Sequence, residues 1–210
     1  MRPAAVLAGA AVLASACHAA AHPPRIVQPG APGRPGAVIT ASAAAELSQI
    51  KHSAADVAFM QGMIRHHAQA LEMTLLLPAR TTNESMRLLA QRIDASQTDE
   101  IQMMTQWLNS RGEPAAGEHD DHAEGAMLMP GMLSPEEMGR LATANGVEFE
   151  RLFLELMTKH HQGALTMVRE LFATAGAGQE SEIFAFASDV VADQRAEIAR
   201  MGTLLQERAR

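Results

Sequence analysis

Aromatic residues are almost missing from this 210-residue chain, which has no Tyr, one Trp and six Phe. Strand formers, β-branched and aromatic, are scarce. Ala, Leu and Met, all good helix formers, supply the apolar stock, and this points to an all-α fold. Cysteine is nearly absent as well. The one Cys, Cys17, lies close to the N-terminus, so the body of the chain has neither a disulfide nor a thiolate metal site. An excess of positive charge is lacking too. With a formal net charge of −7, the chain carries no basic footprint for nucleic acid. The apolar stretch from Ala4 to Ala16 is too short and too weakly hydrophobic to span a membrane.

That stretch follows Arg2, and residues 1–21 read as an export signal. Two cleavage sites fit it. Leu13-Ala14-Ser15-Ala16 before Cys17 resembles a bacterial lipoprotein box, with Ala14 where Leu is usual; Ala19-Ala20-Ala21 suits the ordinary signal peptidase. The expectation is an exported protein, periplasmic or anchored on the outer side of the membrane by a lipid on Cys17. Residues 22–45, with Pro23, Pro24, Pro29, Pro32 and Pro35 among several glycines, read as a flexible tether, and residues 46–210 as the folded domain.

Helix signals punctuate that domain. Ser53-x-x-Asp56 is a capping-box pattern that opens a long helix stopped by Pro78. A second is expected to start near Thr81, with Glu84 three residues on, and to end at Arg111-Gly112. Ser134-Pro135-Glu136-Glu137 opens a short helix, and two further long helices run from about Val147 to Thr174 and from Ser181 to Arg208.

The long helices repeat. Asp56-x-x-Phe59-x-x-x-Met63-x-x-His66-His67-x-x-Ala70-Leu71-x-Met73 recurs as Glu150-x-x-Phe153-x-x-x-Met157-x-x-His160-His161-x-x-Ala164-Leu165-x-Met167, at an offset of 94 (160 − 66). Gln97, Glu100, Ile101 and Met104 recur as Gln194, Glu197, Ile198 and Met201, at an offset of 97 (194 − 97). The domain is therefore two duplicated helical hairpins, which bury their apolar stripes best as a four-helix bundle.

Fourteen Met and nine His are the unusual counts, and the repeat collects them. Adjacent histidines on a helix do not face each other and chelate poorly as a pair. Met63, however, is three residues before His66 and four before His67, and Met157 stands in the same relation to His160 and His161. Each half thus offers thioether and imidazole donors, with Met104 or Met201 as an added sulfur from the hairpin partner. Thioether is soft and favours cuprous copper. A di-iron bundle would show Glu-x-x-His where this chain has Met-x-x-His, and zinc lacks His-Glu-x-x-His or a Cys pair. The central loop adds Glu118-His119-Asp120-Asp121-His122 and then Met127, Met129 and Met132, which reads as a metal-capture segment. Against these readings stands ordinary packing: Met60, Met73, Met104 and Met201 are each accounted for as core, and Asp56 and Glu150 as acids favoured at helix starts. A free imidazole titrates near 6.5, so metal affinity is expected to fall as pH drops through about that value.

These residues resemble the bacterial family called domain of unknown function 305, marked by an acid, a Phe and Met-Ile-x-His-His-x-x-Ala-x-x-Met. The likeness covers about Ser53 to Leu205 and includes Met129-Pro130-Gly131-Met132. It departs at Thr158, where the first repeat has Ile64, and at Glu150, where it has Asp56. The resemblance implies a ferritin-like four-helix bundle, export, and copper binding and tolerance. It carries the metal-ligand pattern onto Met63, His66, His67, Met73, Met157, His160, His161 and Met167. The expected partners are a metal ion (copper, cuprous ahead of zinc or another divalent ion) and other copper-handling proteins. With no Ser-His-Asp set, phosphate loop or nucleotide fingerprint, the chain reads as a binding protein for sequestration, delivery or tolerance rather than an enzyme. A ferritin-like metal oxidase and a metal-free helical adaptor are the alternatives.

Overall fold

The computed structural model describes residues 25–30, 32–47, 51–115 and 128–208. The export signal with Cys17, and residues 118–122 and Met127 of the central loop, lie outside the described residues. The segment read as a tether has local structure: β1 (Ile26–Gln28) pairs antiparallel with β2 (Ala37–Ile39), and α1 (Ala41–Leu47) follows. Next come α2 (Ala54–Leu76), α3 (Glu84–Ser110), α4 (Pro135–Thr143), α5 (Gly146–Ala173) and α6 (Ser181–Arg208).

Local chemistry sets the helix starts. Ser53 and Asp56 form the expected capping box on α2, with Ser53 N donating to Asp56 at 2.7 Å and Asp56 N donating to the Ser53 hydroxyl at 3.2 Å. Ser134 and Glu137 do the same on α4. The start of α3 differs from expectation, because its N-cap is Asn83 rather than Thr81. The Thr81 hydroxyl is committed elsewhere: it donates to Glu150 and accepts from Asn83 N at 3.0 Å.

The long helices form the expected all-α bundle of two hairpins, α2 against α3 and α5 against α6, joined along α2 and α5. A reciprocal pair of contacts shows that α2 and α5 run antiparallel. Asp56, at the start of α2, accepts from Gly178 N just beyond α5 at 2.7 Å. Glu150, near the start of α5, is held by Thr81 and Asn83 just beyond α2, and by Arg208 at 2.8 Å. Both acids therefore staple one hairpin to the turn of the other, a role beyond that of acids favoured at helix starts.

The core is in two pieces. One apolar cluster joins Ala70, Met73 and Leu77 to Ile93, Phe149, Phe153, Met157 and Met201. The other joins Phe59, Met60 and Met63 to Met104, Ala164, Met167, Phe186 and Val190. Each long helix passes from one cluster to the other, and what lies between is polar.

Candidate metal centre

The polar layer is built from the repeat. His66 and His67 sit between Met63 and Ala70 on α2, and His160 and His161 between Met157 and Ala164 on α5. Gln97 and Glu100 occupy the matching level of α3, and Gln194 and Glu197 that of α6. All eight side chains are buried, the four imidazoles completely. Buried polar groups cost stability unless they find partners, so their hydrogen bonds decide what the layer can do.

The inner histidines pair with acids of their own hairpin. His67 Nε2 donates to Glu100, and His161 Nε2 donates to Glu197 at 2.6 Å. His66 Nε2 donates to the Pro130 carbonyl at 3.0 Å. A carbonyl can only accept, so the His66 proton is on Nε2 and the lone pair on Nδ1. The carboxylates likewise accept from Nε2 of His67 and His161, an arrangement that leaves Nδ1 as the lone-pair nitrogen of the neutral ring. Among the described residues, Nδ1 of all three is buried without a hydrogen-bond partner, and so are both nitrogens of His160. Imidazoles fixed through one nitrogen by a carboxylate or carbonyl, with the other left as a lone-pair donor, are arranged as metal-binding histidines are.

The structure also joins what the repeat suggested as separate sites. The rings of His66 and His160 stack across the α2–α5 seam with centroids 3.8 Å apart, whereas the neighbours within each His-His pair are 6.3 Å apart. The four histidines thus form one layer shared by both halves. Burial, and after it the neighbouring His67, lowers the His66 pKa to about 3. Burial, and after it His66, holds His160 well below the usual range. These two imidazoles therefore stay neutral well below pH 6.5.

Methionines are present in the apolar clusters on both sides of the layer. Met63 and Met167, on α2 and α5, lie in one apolar cluster with Met104, while Met73 and Met157 lie in the other with Met201. Each side therefore mixes methionines of the two halves. Among the described residues, no three His, Cys, Asp or Glu side chains converge to hold an ion, so a hard-donor cage is not what this layer offers. Glu100 and Glu197, not singled out as functional from the sequence, had a signal there. They recur at the same offset as Met104 and Met201, on the stripe of their helices that must be buried. At the acids' level, burial and the charges of Glu100 and Glu197 raise the pKa of Asp193.

The family described as a domain of unknown function, DUF305, matches residues 56–205. A DUF305 fragment from Deinococcus radiodurans is 32% identical, with a TM-score of 0.64 over 74% of this chain and 98% of that one. A candidate secreted DUF305 protein from Streptomyces coelicolor is 35% identical, with a TM-score of 0.63 over 74% and 94%. The Cu(I)-bound form of CopM is 25% identical, with a TM-score of 0.56 over 72% and 96%. CopM also matches in its Cu(II)-bound and silver-bound forms. No curated protein matches the sequence. No helix among the described residues is long and apolar enough to cross a membrane.

Proposed function

The chain belongs to the DUF305 family, and we propose that it is an exported copper-binding protein that sequesters or delivers the cuprous ion. The observation that carries this reading is the layer of buried imidazoles whose Nδ1 atoms have no protein partner, bordered by thioethers on both sides. Neutral imidazole together with thioether is a donor set that favours Cu(I). The residues fit a soft ion that takes one or two imidazoles together with thioethers, since among the described residues no three imidazoles converge: His66, His67, His160 and His161 would supply nitrogen, and Met63, Met73, Met157 and Met167 sulfur. Glu100, Glu197 and the Pro130 carbonyl hold three of the rings in the donor tautomer. The copper and silver forms of CopM support the same class of ion, since silver(I) is soft as well. Copper is cargo in this reading, and no reaction is assigned to the chain.

The folded domain (residues 46–210) is placed outside the cytoplasm by the leader (residues 1–21) and joined to it by residues 22–45, with a lipid on Cys17 as the anchored form. Copper-handling proteins are the partners for transfer. Titration of the protein with cuprous copper under a competing chromophoric chelator tests the reading. Wild type should withdraw copper from the chelator, and the variant with His66, His67, His160 and His161 all changed to Ala should not. If that variant folds and binds as wild type does, the imidazoles are structural and the reading is wrong.

A further inference from the structure

We infer that the segment Met129-Pro130-Gly131-Met132 is a third wall of the copper site, and that Met129 supplies a thioether to the ion beside His66 and Met167. The inference deepens the copper reading and rests on it. Gly62 is one helical turn before His66 and on the same face. A Cβ at Gly62 would lie 3.4 Å from the Met129 sulfur and 3.5 Å from the Met167 methyl, so two thioether side chains meet beside the His66 turn. The next residue of the segment, Pro130, is the one whose carbonyl accepts from His66. The sulfur and the carbonyl therefore reach the same side of α2 from one short stretch of chain.

The bundle is shaped to seat this stretch. A Cβ at Gly163 would fall 1.9 Å from the Pro130 carbonyl oxygen, an overlap that no side chain survives. Gly131 has φ 78°, and a Cβ there would lie 2.6 Å from the Gly163 Cα. On the α2 side, Gln69 donates to the Leu133 carbonyl at 3.0 Å and accepts from Leu133 N at 2.7 Å. Gln69 and Gly163 are equivalent positions of the repeat (163 − 94). One has become the residue that grips the segment and the other the residue that makes room for it. A connection that only led from α3 to α4 would require neither.

Among the described residues the second half has no counterpart. The repeat position of Gly62 is Leu156 (156 − 94), a larger side chain that packs against the apolar cluster of Ala70 and Met157. Among the described residues the copper layer is therefore lopsided, with the segment 129–132 against it on the His66 side and no equivalent segment on the other.

The test uses the full chain loaded with one equivalent of cuprous copper, read by X-ray absorption at the copper edge and by chelator competition. Met129→Leu keeps the volume and removes the sulfur. It should lower the copper–sulfur scattering and weaken cuprous affinity about tenfold or more, while the thermal midpoint of the copper-free protein moves little. Gly163→Ala should give the same loss of sulfur scattering with Met129 still present, and faster release of copper to the chelator. If Gly163→Ala does not fold, Gly62→Leu, which copies Leu156, displaces the sulfur from the α2 side and should do the same. Unchanged scattering and affinity in Met129→Leu, alongside loss of copper in the four-histidine variant, would overturn this inference and leave the copper reading intact. A wild type that takes no copper from the chelator overturns both.

Discussion

In the first hairpin the outer imidazole, His66, donates to the Pro130 carbonyl; in the second its counterpart, His160, has no hydrogen-bond partner on either nitrogen among the described residues. The inner pair is treated alike in both halves, His67 with Glu100 and His161 with Glu197. The duplication has thus been kept where an acid fixes a histidine and has diverged where the chain must cross from one hairpin to the other. The crossing segment can lie over only one of the two equivalent faces. That geometric necessity explains why Gln69 and Gly163, or Gly62 and Leu156, no longer match. A repeat with one long connection cannot remain symmetric around its axis, and the asymmetry falls on the donors.

The largest expected effect probes the part that stayed alike. Glu100→Gln and Glu197→Gln each remove the charge that favours a proton on Nε2 and leaves Nδ1 as the donor. Partners of this kind are worth about 10–100-fold in metal affinity. Each variant should weaken cuprous binding by that order, and the two should cost about the same. A large loss for one and none for the other would mean that only one inner histidine serves the ion. Unchanged affinity in both, with folding intact, would make the carboxylates mere neutralisers of buried rings.

Much of this layer was legible in the sequence, and the reason is periodicity. His66, His67, His160 and His161 stood out because the same Met-x-x-His-His spacing occurred twice, and Ser53 and Ser134 announced helix starts through local capping chemistry. Glu100 and Glu197 were visible as repeats but not as partners of the buried histidines, because that pairing depends on which residue of a neighbouring helix they face. The stacking of His66 on His160 was not legible at all. It arises from the antiparallel approach of α2 and α5, set by the Asp56–Gly178 and Glu150–Thr81 contacts between residues more than a hundred and nearly seventy positions apart. Thr81 shows the limit of local reading from the other side. It sits where a cap is expected, but tertiary demand from Glu150 takes its hydroxyl, and Asn83 caps the helix in its place.

A smaller effect separates His66 and His160 from free imidazoles. In the unfolded chain each binds a proton near pH 6.5, whereas in the fold burial holds His66 down to about 3 and His160 also far below its usual range. Below about pH 6.5 the unfolded state therefore carries more protons, so stability of the copper-free protein falls as pH drops and is unaffected by these groups above it. The slope should approach about 1.4 kcal/mol per pH unit for each histidine, read from urea midpoints between about pH 7 and about pH 4. His160→Leu should flatten the slope. Equal slopes in that variant and in wild type would mean that His160 titrates in the fold as it does in the unfolded chain.

The smallest effect concerns Thr158, which stands where the first half has Ile64. Its hydroxyl donates to the Leu154 carbonyl at 2.6 Å and lies 3.7 Å from the Met201 sulfur. It has one proton, and the shorter contact takes most of it, so the sulfur receives little. Thr158→Ile copies the first half. It removes a bond to a carbonyl already placed within a helix and adds apolar volume at a half-buried position, so stability should change by no more than about 1 kcal/mol. Met201 is fully buried in the apolar cluster that also holds Met157, and as a core residue it should leave copper affinity unchanged in this variant. The measurement is cuprous affinity of Thr158→Ile beside that of Met201→Leu. If freeing the sulfur raises affinity about tenfold (about 1.4 kcal/mol) and Met201→Leu lowers it, Met201 belongs with the ligands, and the second half draws from α6 the sulfur that Met129 supplies in the first.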